Sequence, residues 1–136
     1  MIRTEREEEA MKSILVVDDD HKLRQIYSRC LTSEGYKVME AENAADANEI
    51  LKKKKIDLML LDIKMPEING DVLYNIARMF HGEVKVIVTS VYPVEEQKRF
   101  IEGANGYYDK ARGIDSLLTE IREVICDEPS KDYTHN

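Results

Sequence analysis

Carboxylates, hydroxyls and an ammonium stand at four points in this chain where an apolar run stops. Ile14-Leu15-Val16-Val17 runs into Asp18-Asp19-Asp20, and Leu58-Met59-Leu60-Leu61 runs into Asp62. Val86-Ile87-Val88 runs into Thr89-Ser90, and the short Tyr107-Tyr108 run ends at Asp109-Lys110. Clustered acids suit a hard divalent cation, and Mg²⁺ in particular keeps several waters and co-binds phosphoryl oxygens. A lysine ammonium is a common point-charge partner for the same oxygens. If one fold gathers the four ends, the set suits a divalent cation and a phosphoryl group.

Short continuous apolar runs read as strands buried on both faces, the usual condition in a parallel sheet. In open parallel sheets the ligand crevice lies beyond the carboxyl ends of the strands, near the point where strand order reverses. Helical patterns fall between the runs. Leu23, Ile26, Tyr27, Cys30 and Leu31 share one helical face, and Gly35 fits its stop. Tyr36 to Glu40 is a more polar strand, as expected of a sheet edge. Asn43 can cap a helix with Ala47, Ile50 and Leu51 inward, ending in a solvated Lys52-Lys53-Lys54-Lys55 run. Pro66 and Gly70 shape the loop and helix entry after Asp62, and that helix carries Leu73, Ile76, Ala77 and Phe80 inward. Val94 to Glu102 is a poorly patterned helix, because Gln97 and Lys98 interrupt its apolar side. The last helix has Ile114, Leu117, Leu118, Ile121 and Ile125 on one face.

Five strands alternating with five helices predict a doubly wound α/β sandwich around a five-stranded parallel sheet. The polar second and fifth strands are its natural edges, which favours the order 2-1-3-4-5. Asp18, Asp19 and Asp62 then crowd together at the switch point, a conflict of like charges that a divalent cation resolves. One of the first three acids is expected to cap the following helix, and the others exceed what capping requires.

Composition bounds the rest. The 136 residues suit one domain with a real core, and 43% hydrophobic with 35% charged residues describes a globular protein. A net charge of −7 argues against a nucleic-acid partner for the domain itself. No run approaches membrane-spanning length and no signal peptide is visible, so a cytoplasmic protein without membrane contact is expected. Cys30 and Cys126 lack metal-type spacing and are expected as buried free thiols. Residues 1–11 form a charged extension, 12–126 the domain and 127–136 a polar tail. Met11 offers a second in-frame start, and too few residues follow Ile125 for an output domain, so a stand-alone protein is expected, with an excised domain of a longer one as the alternative.

Ile14-Leu15-Val16-Val17-Asp18-Asp19-Asp20, Leu61-Asp62-Ile63-Lys64-Met65-Pro66 with Gly70, Val88-Thr89-Ser90, and Gly106-Tyr107 with Lys110 together resemble a two-component response-regulator receiver domain. The resemblance covers about Met11 to Cys126. It implies the flavodoxin-like (βα)5 fold and a phosphoacceptor module rather than an enzyme. Asp62 would accept the phosphoryl group from a sensor histidine kinase or a histidine phosphotransfer protein. Asp19 and Asp62 would bind Mg²⁺ directly, with the backbone carbonyl of Lys64, while Asp18 acts mainly through a metal-bound water. Thr89 would donate to a phosphoryl oxygen and Lys110 would pair with another. Tyr107 resembles the switch aromatic that follows Thr89, although core packing alone also accounts for a strand tyrosine. The weakly patterned 94–102 helix, the fifth strand and the last helix are the expected signalling surface toward a protein target that the residues do not identify.

The chain departs from the family pattern in three respects. Ala111 follows Lys110 where the family usually has proline, so the loop after the fifth strand is expected to be reshaped. Asp109 is placed to pair with Lys110 and compete with a phosphoryl group. Lys64 and Val91, two residues after Asp62 and Thr89, offer no group to orient an attacking water, which implies slow self-dephosphorylation. Three other readings stay open here: a haloacid-dehalogenase-type phosphatase using the Asp18-x-Asp20 spacing, a flavodoxin-like cofactor carrier, and a degenerate receiver that only binds a partner.

Overall fold

The computed structural model describes residues 2–64 and 70–126. Its order is α1 (Glu5–Ala10), β1 (Ser13–Val17), α2 (His21–Ser33), β2 (Lys37–Ala41), α3 (Ala44–Lys53), β3 (Leu58–Asp62), α4 (Gly70–Phe80), β4 (Lys85–Ser90), α5 (Val94–Phe100), β5 (Gly106–Asp109), a 3₁₀ turn (Lys110–Arg112) and α6 (Ile114–Cys126). The strands form one parallel sheet in the order β2-β1-β3-β4-β5. This is the doubly wound arrangement expected from the apolar runs. Met65 to Asn69, including Pro66, and the 127–136 tail lie outside the described residues.

Alternation along each strand explains why the runs are apolar throughout. Leu15, Val17, Met59, Leu61, Val86 and Val88 face a core closed by Ala47 and Leu51 of α3, Leu73, Tyr74 and Ala77 of α4, and Ile101 after α5. Ile14, Val16, Leu58, Leu60 and Ile87 face the opposite core, closed by Tyr27 and Leu31 of α2 and by Leu117, Ile121 and Ile125 of α6. Both strand faces are therefore dry. Capping follows the side chains available: Asn43 accepts from the Asp46 N–H at 2.8 Å, and Gly35, at φ +96°, ends α2 in the left-handed region.

Several inward assignments shift. The buried stripe of α2 is Arg24, Tyr27 and Leu31, while Ile26 is 49% exposed on the helix flank. Phe80, at the last turn of α4, is 70% exposed, while Tyr74, six residues earlier, is buried. The 94–102 helix stops at Phe100, and its interrupting residue Gln97 is fully buried. The 36–40 strand runs from Lys37 to Ala41. Cys30 is only half-buried and Cys126, at the end of α6, is exposed; both thiols are free, so the expectation of burial fails. The N-terminal helix α1 had no apolar signal to announce it. Among the described residues no helix is long and apolar enough to cross a membrane.

Candidate metal and phosphoryl site

The parallel register sets the ends of β1, β3, β4 and β5 side by side. Val17 pairs with Leu61, Asp62 with Thr89, and Ser90 with Asp109. Asp18 leaves β1 with its N–H donated to the Ala41 carbonyl at 3.1 Å. Asp18 and Asp62 are buried, Asp19 is exposed, and each of the three offers a carboxylate oxygen within 4.8 Å of the others. Asp20 is the capping acid, accepting from the Leu23 N–H at 3.1 Å. The acid run thus divides its labour between helix start and cluster.

Lys110 reaches this cluster from the far edge of the sheet. Its Nζ lies 2.8 Å from Asp18 Oδ2 and 3.5 Å from Asp62 Oδ2. Burial pushes the Lys110 ammonium down, but its bond to Asp18 and the charge of Asp62 outweigh that and raise its pKa. Burial pushes the Asp62 carboxyl up to about 6, aided by Asp18 and Asp19 and opposed by Lys110 and the Lys64 N–H. That N–H donates to Asp62 Oδ1 at 3.2 Å. Three carboxylates against one ammonium leave two negative charges, the charge a divalent cation brings. The donor set is all hard oxygen, which fits Mg²⁺ or a similar ion.

Thr89 is buried, and its carbonyl accepts from the Ile63 N–H at 3.2 Å, locking β4 to the residue after Asp62. Tyr107 is half-buried against the core. Its hydroxyl donates to the Ile101 carbonyl at 2.7 Å and accepts from the Ala104 N–H at 3.2 Å. The Lys64 ammonium lies over the Tyr92 ring, 4.9 Å from its centroid, and Val91 is 70% exposed.

Asp109 does not pair with Lys110. Its Oδ1 accepts from the Ala111 N–H at 2.9 Å and starts the 3₁₀ turn, leaving the ammonium to Asp18 and Asp62. That bond needs a backbone N–H at position 111, which a proline would lack. None of the described peptide bonds is cis. Sequence reading missed Arg24, whose guanidinium donates to the Asp18 carbonyl at 2.7 Å and to Glu40 Oε1 at 3.2 Å. An arginine one turn into an amphipathic helix carries no signal of burial.

A doubly wound parallel sheet with an acid cluster and a lysine beyond its strand ends defines a class of phosphoryl-handling α/β protein. Residues 14–122 match the family model described as the response regulator receiver domain, and the chain belongs to that family. It is a two-component phosphoacceptor module rather than a turnover enzyme, which sets the phosphatase and cofactor-carrier readings aside. It is 27% identical to the sporulation initiation phosphotransferase F of Bacillus subtilis, over 84% of this chain and 94% of that protein. It is 32% identical to the transcriptional regulatory protein KdpE of Staphylococcus aureus, over 82% of this chain and 48% of that regulator. Among solved structures, the response regulator TrrA of Thermotoga maritima, in complex with Mg²⁺ and BeF, superposes with a TM-score of 0.77 at 31% identity, over 84% of this chain and 99% of that one. A CheY-like receiver domain from Methanospirillum hungatei gives 0.80 at 30% identity, over 85% and 94%.

Proposed function

We propose that this receiver, spanning residues 12–126, takes a phosphoryl group onto Asp62 from the phosphohistidine of a sensor kinase or histidine phosphotransfer protein. The similarity to a sporulation phosphotransferase, and to the sensor kinase CckA of Brucella abortus, supports such partners. An Asp62 oxygen attacks phosphorus in line. The N–P bond breaks, and its electron pair leaves with the imidazole, which takes up a proton. Such a transfer needs positioning and charge neutralisation more than it needs other chemistry.

Asp19, Asp62 and the Lys64 carbonyl would hold Mg²⁺ directly, with Asp18 acting through water. When bound, the ion supplies charge neutralisation at the phosphoryl oxygens. Lys110 pairs with one of these oxygens and Thr89 donates its hydroxyl to another. Tyr107 then responds to the displacement of Thr89, and the α5-β5-α6 face presents the result to a protein target in the cytoplasm. Neither nucleic acid nor membrane is a direct partner.

One observation carries this reading: Lys110 bridges two of the three clustered carboxylates, and one of those two, Asp62, lies in register with Thr89. Intact mass after incubation with Mg²⁺ and acetyl phosphate tests it. The parent is expected to gain one phosphoryl group and Asp62→Asn none. An unmodified parent under donor excess would instead mark a receiver that only binds a partner.

A further inference from the structure

Helix α5 is fastened to the sheet by a side chain that its sequence pattern marked as a defect. Gln97 is the buried residue of this helix, at 0% exposure. Its Nε2 donates one hydrogen to the Tyr92 carbonyl at 2.8 Å and the other to the Tyr108 carbonyl at 2.9 Å. Its Oε1 is equally enclosed and has no hydrogen-bond partner among the described residues. The two carbonyls bracket Thr89: Tyr92 lies three residues on, in the loop after β4, and Tyr108 is the register partner of Thr89 on β5. Other ties to β5 are made by the Tyr107 side chain, whose hydroxyl donates to the Ile101 carbonyl at 2.7 Å just past the helix and whose ring centroid lies 5.7 Å from the Lys98 ammonium. Pro93 gives no side-chain cap, and the stacked Tyr92 and Phe100 rings, 5.9 Å apart, lie toward the outside, with Phe100 56% exposed.

We propose that Gln97 is a positioning residue that latches the 89–92 segment to strand β5 in the unmodified protein and passes movement of Thr89 to helix α5. The inference rests on phosphoryl acceptance at Asp62. A carboxamide is planar, so its two N–H groups reach both carbonyls only while loop and strand keep their present separation. Drawing Thr89 toward a phosphoryl group on Asp62 moves the Tyr92 carbonyl relative to that of Tyr108. One of the two bonds must then break, or the helix must follow. The unpartnered Oε1 makes the latch releasable, because an enclosed acceptor without a donor disfavours the state that contains it. A rearrangement that admits a donor removes that penalty. The same side chain therefore holds the resting arrangement and weakens it.

The test uses the full chain with Mg²⁺ and beryllofluoride as the phosphoryl probe. In ¹⁵N-labelled protein the Gln97 side-chain amide protons, assigned by their loss in Gln97→Met, are expected to exchange slowly with solvent before the probe is added. On adding it they should shift and lose protection. Met keeps the volume but cannot donate, so Gln97→Met should half-saturate at about fivefold lower probe concentration, the effect of releasing one net hydrogen bond. Gln97 amide signals that stay fixed while the probe saturates the parent would overturn the latch, with or without a folded variant. An unchanged half-saturation in folded Gln97→Met would do the same. If the parent gives no response that Asp62→Asn abolishes, phosphoryl acceptance itself fails, and the two failures are distinguishable.

Discussion

Asp62 is held in the neutral direction by burial until something neutralises the charge beside it. With its pKa raised to about 6, the folded protein binds a proton there that the unfolded chain, near 3.8, has already released. The contribution to stability is therefore fully present below the unfolded value and is lost as pH rises through about 6. Metal-free Asp62→Asn should be more stable than the parent at pH 7.5, by about 2 kcal/mol in urea unfolding. The advantage should shrink toward pH 4. A metal must displace that proton, so Mg²⁺ affinity measured by calorimetry should fall about tenfold per pH unit below pH 6. Lys110→Met leaves Asp18 buried without its ammonium and should cost about 3 kcal/mol, as breaking one side of a buried pair does. Thermal melts at two pH values separate this from a loss of packing, because protonation of the acids restores part of it.

Each element carries its function at an end. Helix α3 depends on the Asn43 cap on the Asp46 N–H, and Asn43→Ala should cost about 1 kcal/mol in chemical denaturation without touching the site. Helix α2 begins on Asp20, which frees Asp18 and Asp19 for the cluster, and Arg24 one turn later holds the Asp18 carbonyl from behind. The loop after β3 carries Lys64, whose ammonium rests on the Tyr92 ring instead of presenting an acceptor to water. Lys64→Asn should shorten the lifetime of the acyl phosphate, followed by intact mass after donor removal. An unchanged half-life would show that position 64 does not govern the attacking water. The turn after β5 is built on Asp109, and its bond to the Ala111 N–H keeps Asp109 from the competing role its neighbour suggested.

At the scale of the molecule, the parallel sheet brings the carboxyl ends of four strands to one crevice while the helices close two separate cores. The outer edge of β5 is guarded by Glu120 of α6, which takes the Tyr107 N–H and packs close over Gly106: a Cβ there would lie 2.6 Å from Glu120 Oε2, so the carboxylate would have to move aside. The short α5 packs against β5 and β4, the strand that carries Thr89, so amide exchange should change most in α5, β5 and α6 when beryllofluoride and Mg²⁺ are added. Equal protection there with and without the probe would place the signalling face elsewhere. The apolar runs, the polar edges, the strand order and the chemistry at each strand end were legible in the sequence alone. Burial on both faces demands unbroken apolar residues, and the first polar residue after such a run must lie at the sheet's end. Tertiary structure alone decided which of those groups touch. Lys110 meets Asp18 across 92 positions of chain through a parallel register that no local pattern encodes. Arg24 and Gln97 are buried because neighbouring carbonyls and a carboxylate receive their hydrogens, while Ile26 and Phe80 lie exposed at a helix flank and a helix end. Hydropathy reports the preference of a side chain, but the partners that overrule it come from distant segments and exist only once the sheet has formed.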